Sequence, residues 1–534
     1  MNNAVNRNAV EAAQAAVKNM VVAPTGLVEY TSQGRCVVIG AAEAAEFAPR
    51  LSEVSLQVQV LLTDGPDEPG LPVIPLGKRE IKVEGHMGAF KIHIGDKEKP
   101  NYEVLMTDLV LDLSKQPLLS MPIKPPGYFV ADIDDELSMA EAVVTLAELV
   151  GTFEKPRFFE YDASICAHGR SGISGCNRCI DSCPTEAIIS IGESIEVNPN
   201  LCQGGGICAT ACPTGAIRYT YPRSEDTQEK IRTLLNIYNE QEGSDSVIVF
   251  ISEADAENLS ETPDNGLIIP LEELASVGLE TWFFALAHGA SRVLLVDGGS
   301  VPATVSIFMD EELKTAKVLL QGLGYSAGAI ERVDQDNLTQ ACQGIMPEIE
   351  VAQFAGMPQK RQAALWSVDH LFTQAKSAEA IFPLPEQSLF GRILVNGEAC
   401  TLCMSCTSAC PANAINAGVE EPRLLFHEEN CLQCGICANT CPENAITLEP
   451  RWVANPEDRR QTITLHEEQP FCCISCGKPF ATQSGINTIL AKLSDHYMFQ
   501  TERALNRLKM CDDCRVADVV QDEEMMGSGR FNPH

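Results

Sequence analysis

No run of about eighteen or more apolar residues occurs in this chain, so no membrane-crossing helix is expected. The amino-terminal stretch "MNNAVNRNAVEAAQAAVKNM" lacks the charged-then-apolar layout of a secretory leader and has no paired arginines. It predicts a mildly amphipathic helix and a cytoplasmic protein. Positive charge is scarce: 39 Lys and Arg face 73 Asp and Glu, a formal net charge of −34, which excludes the basic face that nucleic acid needs. The acidity serves solubility, and it also suits docking against a basic patch on a protein partner. Nucleotide signatures are missing too. There is no P-loop, and "GAAEAA" at 40–45 is not G-x-G-x-x-G.

Cysteine is present in excess, with 22 in 534 residues. In a reducing compartment that number argues for metal ligands rather than disulfides. The length allows three or four domains at roughly 150 residues each. An internal repeat organises them. Residues 400–411, "CTLCMSCTSACP", and 431–442, "CLQCGICANTCP", are two full C-x2-C-x2-C-x3-C-P runs. Residues 176–184 and 202–213 repeat the layout with gaps, and all four runs end in C-P-x-x-A-I, beginning at Cys183, Cys212, Cys410 and Cys441. The spacing wraps a tight loop around an inorganic cube so that three thiolates reach three irons. The fourth cysteine is carried off by a short helical turn to the neighbouring cube, and the proline after it turns the chain. Zinc sites more often use separated C-x2-C pairs than three cysteines in seven residues.

These runs resemble bacterial-type 2[4Fe-4S] ferredoxins. In the second module the crossed pattern gives one [4Fe-4S] cluster to Cys400, Cys403, Cys406 and Cys441, and the other to Cys431, Cys434, Cys437 and Cys410. In the first module Ile173 stands where the first cysteine of one run belongs. Cys166, displaced onto the preceding loop, is the simplest substitute, which yields the set Cys166, Cys176, Cys179 and Cys212. His168 is a candidate ligand or a hydrogen-bonding residue. The other set keeps only Cys183, Cys202 and Cys208, because Gly205 occupies the second position. Three thiolates fit a [3Fe-4S] cluster or an incompletely ligated [4Fe-4S] cluster; an empty or structural site is the competing reading.

The tail holds "FCCISCGKPF" and "MCDDCR". Cys473 and Cys476 pair with Cys511 and Cys514 as two knuckles suited to a tetrahedral structural zinc, with a further iron–sulfur site or no metal as alternatives. Cys472 is a spare, crowded by its neighbour. Cys36, within a strand, and Cys342, alone, read as buried structural thiols.

The expected fold is a multidomain α+β and α/β chain. Residues 1–155 form an N-terminal α/β and β-rich domain, with a β-α-β unit over 34–62 and a hairpin turning at His86 to Gly88. Ser138 and Glu141 make a capping box on a helix stopped by Gly151. Residues 156–222 form the degenerate first cluster module, and 226–380 a small parallel α/β domain. "FPLPEQSLFG" is the linker to the second module, 388–450, and 465–520 is the zinc-knuckle-like tail.

The α/β segment followed by "LPEQSLFGRILVNGEACTLCMSC" resembles a methyl-viologen-hydrogenase delta-like domain ahead of a ferredoxin module. That family's [2Fe-2S] cysteines have no counterpart in "RVLLVDGGS". With "CGKPFAT" and "CDDCRV", the whole layout resembles large bacterial iron–sulfur proteins that accompany molybdenum formate dehydrogenases. The resemblance implies an electron relay with redox protein partners, among them formate dehydrogenase subunits. An accessory or maturation factor for a molybdoenzyme is the alternative. Independent catalysis at an open iron lacks any general base or substrate-binding constellation to support it.

Overall fold

A computed structural model describes residues 2–20, 22–63, 73–76, 79–259, 261–419 and 421–522. The chain packs as two compact units. The first runs to 163 and continues over 177–317 and 326–374; the second comprises 164–176, 318–325 and the chain from 375.

In the first unit the β-α-β unit forms as the apolar pattern requires. Strands Arg35–Gly40 and Gln57–Leu62 pair in parallel around helix Ala42–Glu53, and Leu109–Asp112, Tyr128–Val130 and Val73–Pro75 complete a five-stranded parallel sheet. Successive side chains leave a strand on opposite faces. Cys36 and Val38 accordingly join a core with Ala45, Phe47 and Leu51 of the helix. Val37 and Ile39 join Phe90, Ile92 and Ile94 of a three-stranded antiparallel sheet that covers the other face. The hairpin at 85–89 lies in that sheet, where the amide of Ala89 donates to the carbonyl of His86 at 2.8 Å.

The run "YEVLMTDLVLDLS" is not one strand. Glu103–Thr107 belongs to the antiparallel sheet and Leu109–Asp112 to the parallel one. Asp108 makes the corner. Its side chain is 1% exposed, takes the amides of Gln33 and Arg35 at 2.9 and 3.1 Å, and pairs with the Arg35 guanidinium at 2.6 Å. The capping box also needs correction. The helix runs Glu136–Glu148 with Asp135 as its cap, accepting from the amide of Leu137, while the Ser138 hydroxyl accepts from the amide of Asp132. Asp135 wins because its short carboxylate reaches the free amides a turn earlier. Gly151 is not the stop; it opens strand Gly151–Pro156, which pairs with Leu27–Ser32.

The α/β layer over 247–334 is a parallel sheet in the order Gly266–Leu271, Val247–Ser252, Arg292–Asp297, Ile330–Asp334. Its central strand, Val247–Ser252, is buried throughout, hence the continuous apolar run "VIVFIS". Helix Leu279–Ala287 is buried along its whole length, packed by helices Lys360–Gln374 and Ser224–Glu240, and apart from Glu280 and Thr281 in its first turn it is apolar on every face. The amino-terminal helix, Asn2–Val17, docks on this layer and not on the sheet that follows it in sequence. Ala9, Ala13 and Val17, spaced four apart, are buried, and Asn6 exchanges hydrogen bonds with the backbone of Ser244.

In the second unit strand Ile446–Val453 pairs with Gly391–Val395 and with Ile381–Pro383. The expected linker "FPLPEQSLFG" therefore starts inside a sheet. Among the described residues no helix is long and apolar enough to cross a membrane.

Asp108→Asn leaves the two amides and the guanidinium without their anion, a loss of about 2 kcal/mol or roughly 30-fold in local opening. Burial opposes the Asp108 charge, but Arg35 and the two amides outweigh it and hold the carboxyl below its usual range. Its contribution is therefore present above the unfolded value near pH 4 and lost as pH falls through the lower folded value. Hydrogen exchange at residues 33–40 should be faster in the variant at neutral pH, and the gap should close in acid.

Candidate iron–sulfur and metal sites

Each cysteine run of the second module folds into the same loop. Leu402 and Gln433 have φ of +51° and +53°, Met404 and Gly435 +60° and +80°, and Asn413 and Asn444 +51° and +49°. Left-handed residues alternating with right-handed ones turn successive N–H groups inward, a concavity that receives an anion. Short helices Ser405–Ala409 and Ile436–Thr440 then carry Cys410 and Cys441 away, both at φ −71°. The A-I pairs that end the runs, Ala414, Ile415, Ala445 and Ile446, are buried and seat the loops on the core. Amides of Ala414 and Ala445 donate to the sulfurs of Cys410 and Cys441 at 3.2 and 3.3 Å, and Gln433 Nε2 donates to Cys431 at 3.2 Å.

Burial and neighbouring thiols act together on these cysteines. Burial, then Cys400, Cys403 and Cys441, push Cys406 up to about 12. Burial raises Cys434 to about 11, with Cys431, Cys410 and Cys176 adding to it; burial also raises Cys437, followed by Cys431, Cys434 and Cys410. Cys441 thus acts on Cys406, and Cys410 on Cys434 and Cys437, with Cys406 also acting on Cys437. Of these eight cysteines Cys403 is the exposed one. Burial opposes its charge, but the hydroxyl and amide of Ser405 outweigh it, so Cys403 is lowered.

The loop with the missing cysteine keeps the same backbone. Gly204, Gly206 and Gly215 have φ of +81°, +69° and +73°, the three left-handed positions of the full loops, and Cys212 leaves at φ −70°. Ala187, Ile188, Ala216 and Ile217 are buried like their counterparts. Cys183, Cys202 and Cys208 line one narrow cavity together with Gly205 and Tyr219. Burial raises Cys208 well above its ordinary value, and Cys202, Cys183 and Cys179 raise it further. A Cβ built on Gly205 meets nothing nearer than Pro184 Cγ at 3.5 Å, whereas one on Gly206 would strike the backbone of Ser276 at 2.5 Å. The position therefore has room for a side chain and lacks one. Three thiolates, inward amides and an apolar lining fit an iron–sulfur cluster bound through Cys183, Cys202 and Cys208.

The other run of this module departs from the pattern. Gly175 is not left-handed and Asn177 has φ −115°, so the turn before Cys179 is built differently. In the second unit a hairpin joins the two ends of the extra loop: the amide of Cys176 donates to Ala167 at 2.8 Å, beside Cys166. His168 is 5% exposed and its Nδ1 lies 3.0 Å from the Cys176 carbonyl, the hydrogen-bonding role. Cys166 and Cys176 lie in the second unit, Cys179 and Cys212 in the first.

In the tail, Cys473 and Cys476 sit on a tight turn of hairpin Pro470–Cys472 with Pro479–Thr482, where Gly477 at φ +75° returns its amide to the Cys473 carbonyl at 2.9 Å. Cys511 caps helix Asp512–Val520 and Cys514 lies in its first turn. The four sulfurs lie within 4.8 Å of one another, Cys476 and Cys511 at 3.7 Å. One tetrahedral ion with metal–sulfur bonds of about 2.3 Å sets its sulfurs about 3.8 Å apart. Four irons at the corners of a cube hold their thiolates farther apart, so this set fits a single metal ion. Burial opposes the Cys473 thiolate, but the amides of Cys511, Cys476 and Ser475 bring it down to about 6. Cys472 stands outside the set and is exposed. Cys36 and Cys342 are buried, and burial pushes both up to about 12.

Several residues around the first module gave no signal in the sequence. Lys155 Nζ donates to the carbonyls of Asn200 and Cys202 at 3.1 and 2.5 Å. Lys360 reaches the carbonyls of Ala209, Thr210 and Cys212, and Arg178 that of Ala211. Lys360 stands nearly 150 residues from the carbonyls it binds, and no local pattern links such a pair.

Comparison with known families places this geometry. Residues 399–445 match the 4Fe-4S dicluster domain, and residues 195–218 match the 4Fe-4S binding domain, the stretch that contains Gly205. No curated protein matches the sequence. The chain is thus an iron–sulfur protein with two ferredoxin-type domains in a multidomain, mixed α/β architecture, and these domains support an electron-transfer role.

Gly205→Ala should fold like the parent, whereas Gly206→Ala, strained in φ and blocked by Ser276, should lose about 2 kcal/mol or more of stability in thermal unfolding. Cys476→Ser and Cys511→Ser should each release the tail's metal ion without changing iron content. Protease cleavage within 483–510 is expected to increase in both, with metal analysis as the check.

Proposed function

We propose that this protein relays single electrons between a redox enzyme, of the molybdenum formate dehydrogenase kind, and another carrier, with no bond-making chemistry of its own. The observation that carries this reading is the shared loop geometry: three of the four cysteine runs hold the same left-handed positions, and two family matches fall on them. In this reading Cys400, Cys403, Cys406 and Cys441 hold one [4Fe-4S] cluster, and Cys431, Cys434, Cys437 and Cys410 a second. Cys183, Cys202 and Cys208 hold a [3Fe-4S] cluster or a four-iron cluster with one open corner. The tail's four cysteines hold zinc, and the segments 1–155, 156–222, 226–380, 388–450 and 465–520 serve as the working domains.

Bound in these loops, the clusters supply one-electron chemistry; the chain supplies thiolates, inward amides and a dry lining that set the potentials. Exposed Cys403 gives partners their shortest approach to the second module. The resemblance of the tail and of the stretch before Cys400 to formate dehydrogenase-associated proteins supports the choice of enzyme, and the acidic charge suits a basic docking face. The four-sulfur set in the tail, which stabilises structure and carries no electrons as zinc, favours a second reading, an accessory or maturation factor for a molybdoenzyme.

Cys406→Ser and Cys437→Ser should each remove about four iron atoms per chain and one reducible signal from the low-temperature EPR spectrum. Electron flow from formate dehydrogenase to an acceptor, reconstituted with the protein, should stop in both. Full iron content with undiminished flow would overturn the ligand sets, while clusters that no partner reduces during turnover would favour the accessory role.

A further inference from the structure

Tyr219 ends strand Ile217–Tyr219, paired with Phe159–Tyr161, and its ring stacks on Phe158 with centroids 6.1 Å apart. The residue is 8% exposed, and its hydroxyl is buried with no hydrogen-bond partner among the described residues. An unpartnered buried hydroxyl costs about 1–3 kcal/mol, a cost that phenylalanine would avoid in the same ring position. The side chain lines the cavity of Cys183, Cys202 and Cys208, whose walls are otherwise largely apolar or backbone. A phenol is protonated at neutral pH and offers one O–H. An iron–sulfur cluster brings to that cavity the acceptor it lacks, because inorganic sulfides take hydrogen bonds. The loop has the full-ligand backbone and space for a side chain at Gly205, so a cluster bound by three thiolates leaves one corner without sulfur from the chain.

We propose that the Tyr219 hydroxyl donates a hydrogen bond to a sulfide of the cluster held by Cys183, Cys202 and Cys208. This rests on the reading that the three-cysteine site binds a cluster. A donor aimed at sulfide stabilises the more negative, reduced state and raises the potential.

The test is Tyr219→Phe in the full chain, purified without oxygen, with the signal of this cluster identified by its loss in Cys208→Ser. The phenylalanine variant should keep the parent's iron and sulfide content. At a fixed poise its oxidised-to-reduced ratio should rise about fivefold, about 40 mV for one electron. The parent's spectrum should shift on exchange into deuterated water, and the variant's should not. Full iron content with an unchanged potential and an unchanged deuterium response would overturn the hydrogen bond while leaving the cluster in place. A phenol with a packing role alone would move only the thermal midpoint, which is the same refutation. A parent protein with no signal removed by Cys208→Ser would overturn the three-cysteine reading itself.

Discussion

Thiolates gathered in a dry loop repel one another, and only a cation among them makes the arrangement stable. That constraint underlies the architecture. Burial and mutual repulsion push Cys406 and Cys434 to about 12 and 11, so in the bare loop these groups stay protonated. Iron reverses the balance by taking up the negative charge, and the inward N–H groups of the left-handed turns share what remains. Metal binding and thiol deprotonation are therefore one event. The A-I pair that ends each run anchors the loop in apolar core, which gives the thiols a fixed place at which to wait.

The cysteine spacing was legible because each loop is local: a dozen residues determine the turn, the helix and the departure of the fourth cysteine. The parallel layer was legible for a similar reason, since "VIVFIS" and "RVLLVD" are runs that only a sheet covered on both faces accommodates. Features that depend on distant residues were not. Asp108 splits an apolar run between two sheets because Gln33 and Arg35 present donors to it, and nothing in "MTDLV" announces them. Asp135 displaced Ser138 as the helix cap by one short reach, a choice that sequence leaves open. Strand Ile330–Asp334 went unread because its edge position needs no apolar run. The four tail cysteines were legible as pairs, but that their sulfurs converge within the span of one ion is a fact of geometry.

The two cluster modules differ in how they achieve the same curvature. In the second, Leu402, Met404 and Gln433 are held at positive φ despite their side chains, which costs about 1 kcal/mol or more at each. In the Cys202 loop all three such positions are glycine, so the turn is nearly strain-free. That loop has glycine rather than cysteine at 205, so it offers one sulfur fewer than the full loops, on a backbone with little strain to offset. The run ending at Cys183 is built differently: Gly175 and Asn177 are not left-handed, although Glu186 is at φ +50°, and a hydrogen bond joins the backbones of Cys176 and Ala167.

Charge sharpens the contrast. In a chain so poor in cations, Lys155 and Lys360 direct their charge at backbone carbonyls of the Cys202–Cys212 loop, while Arg178 divides its own between the Ala211 carbonyl and Glu311. Each lysine binds carbonyl oxygens of that loop and sets a positive charge beside it. At the second module the nearby arginines are taken up by carboxylates, Arg392 by Glu449 and Arg451 by Glu428. Neutralised in pairs, they exert little field on the loops beside them. Equal cluster types in these two settings would not share a potential. A cluster of the same iron count held by one thiolate fewer would be the easier to reduce, because less negative charge awaits the added electron.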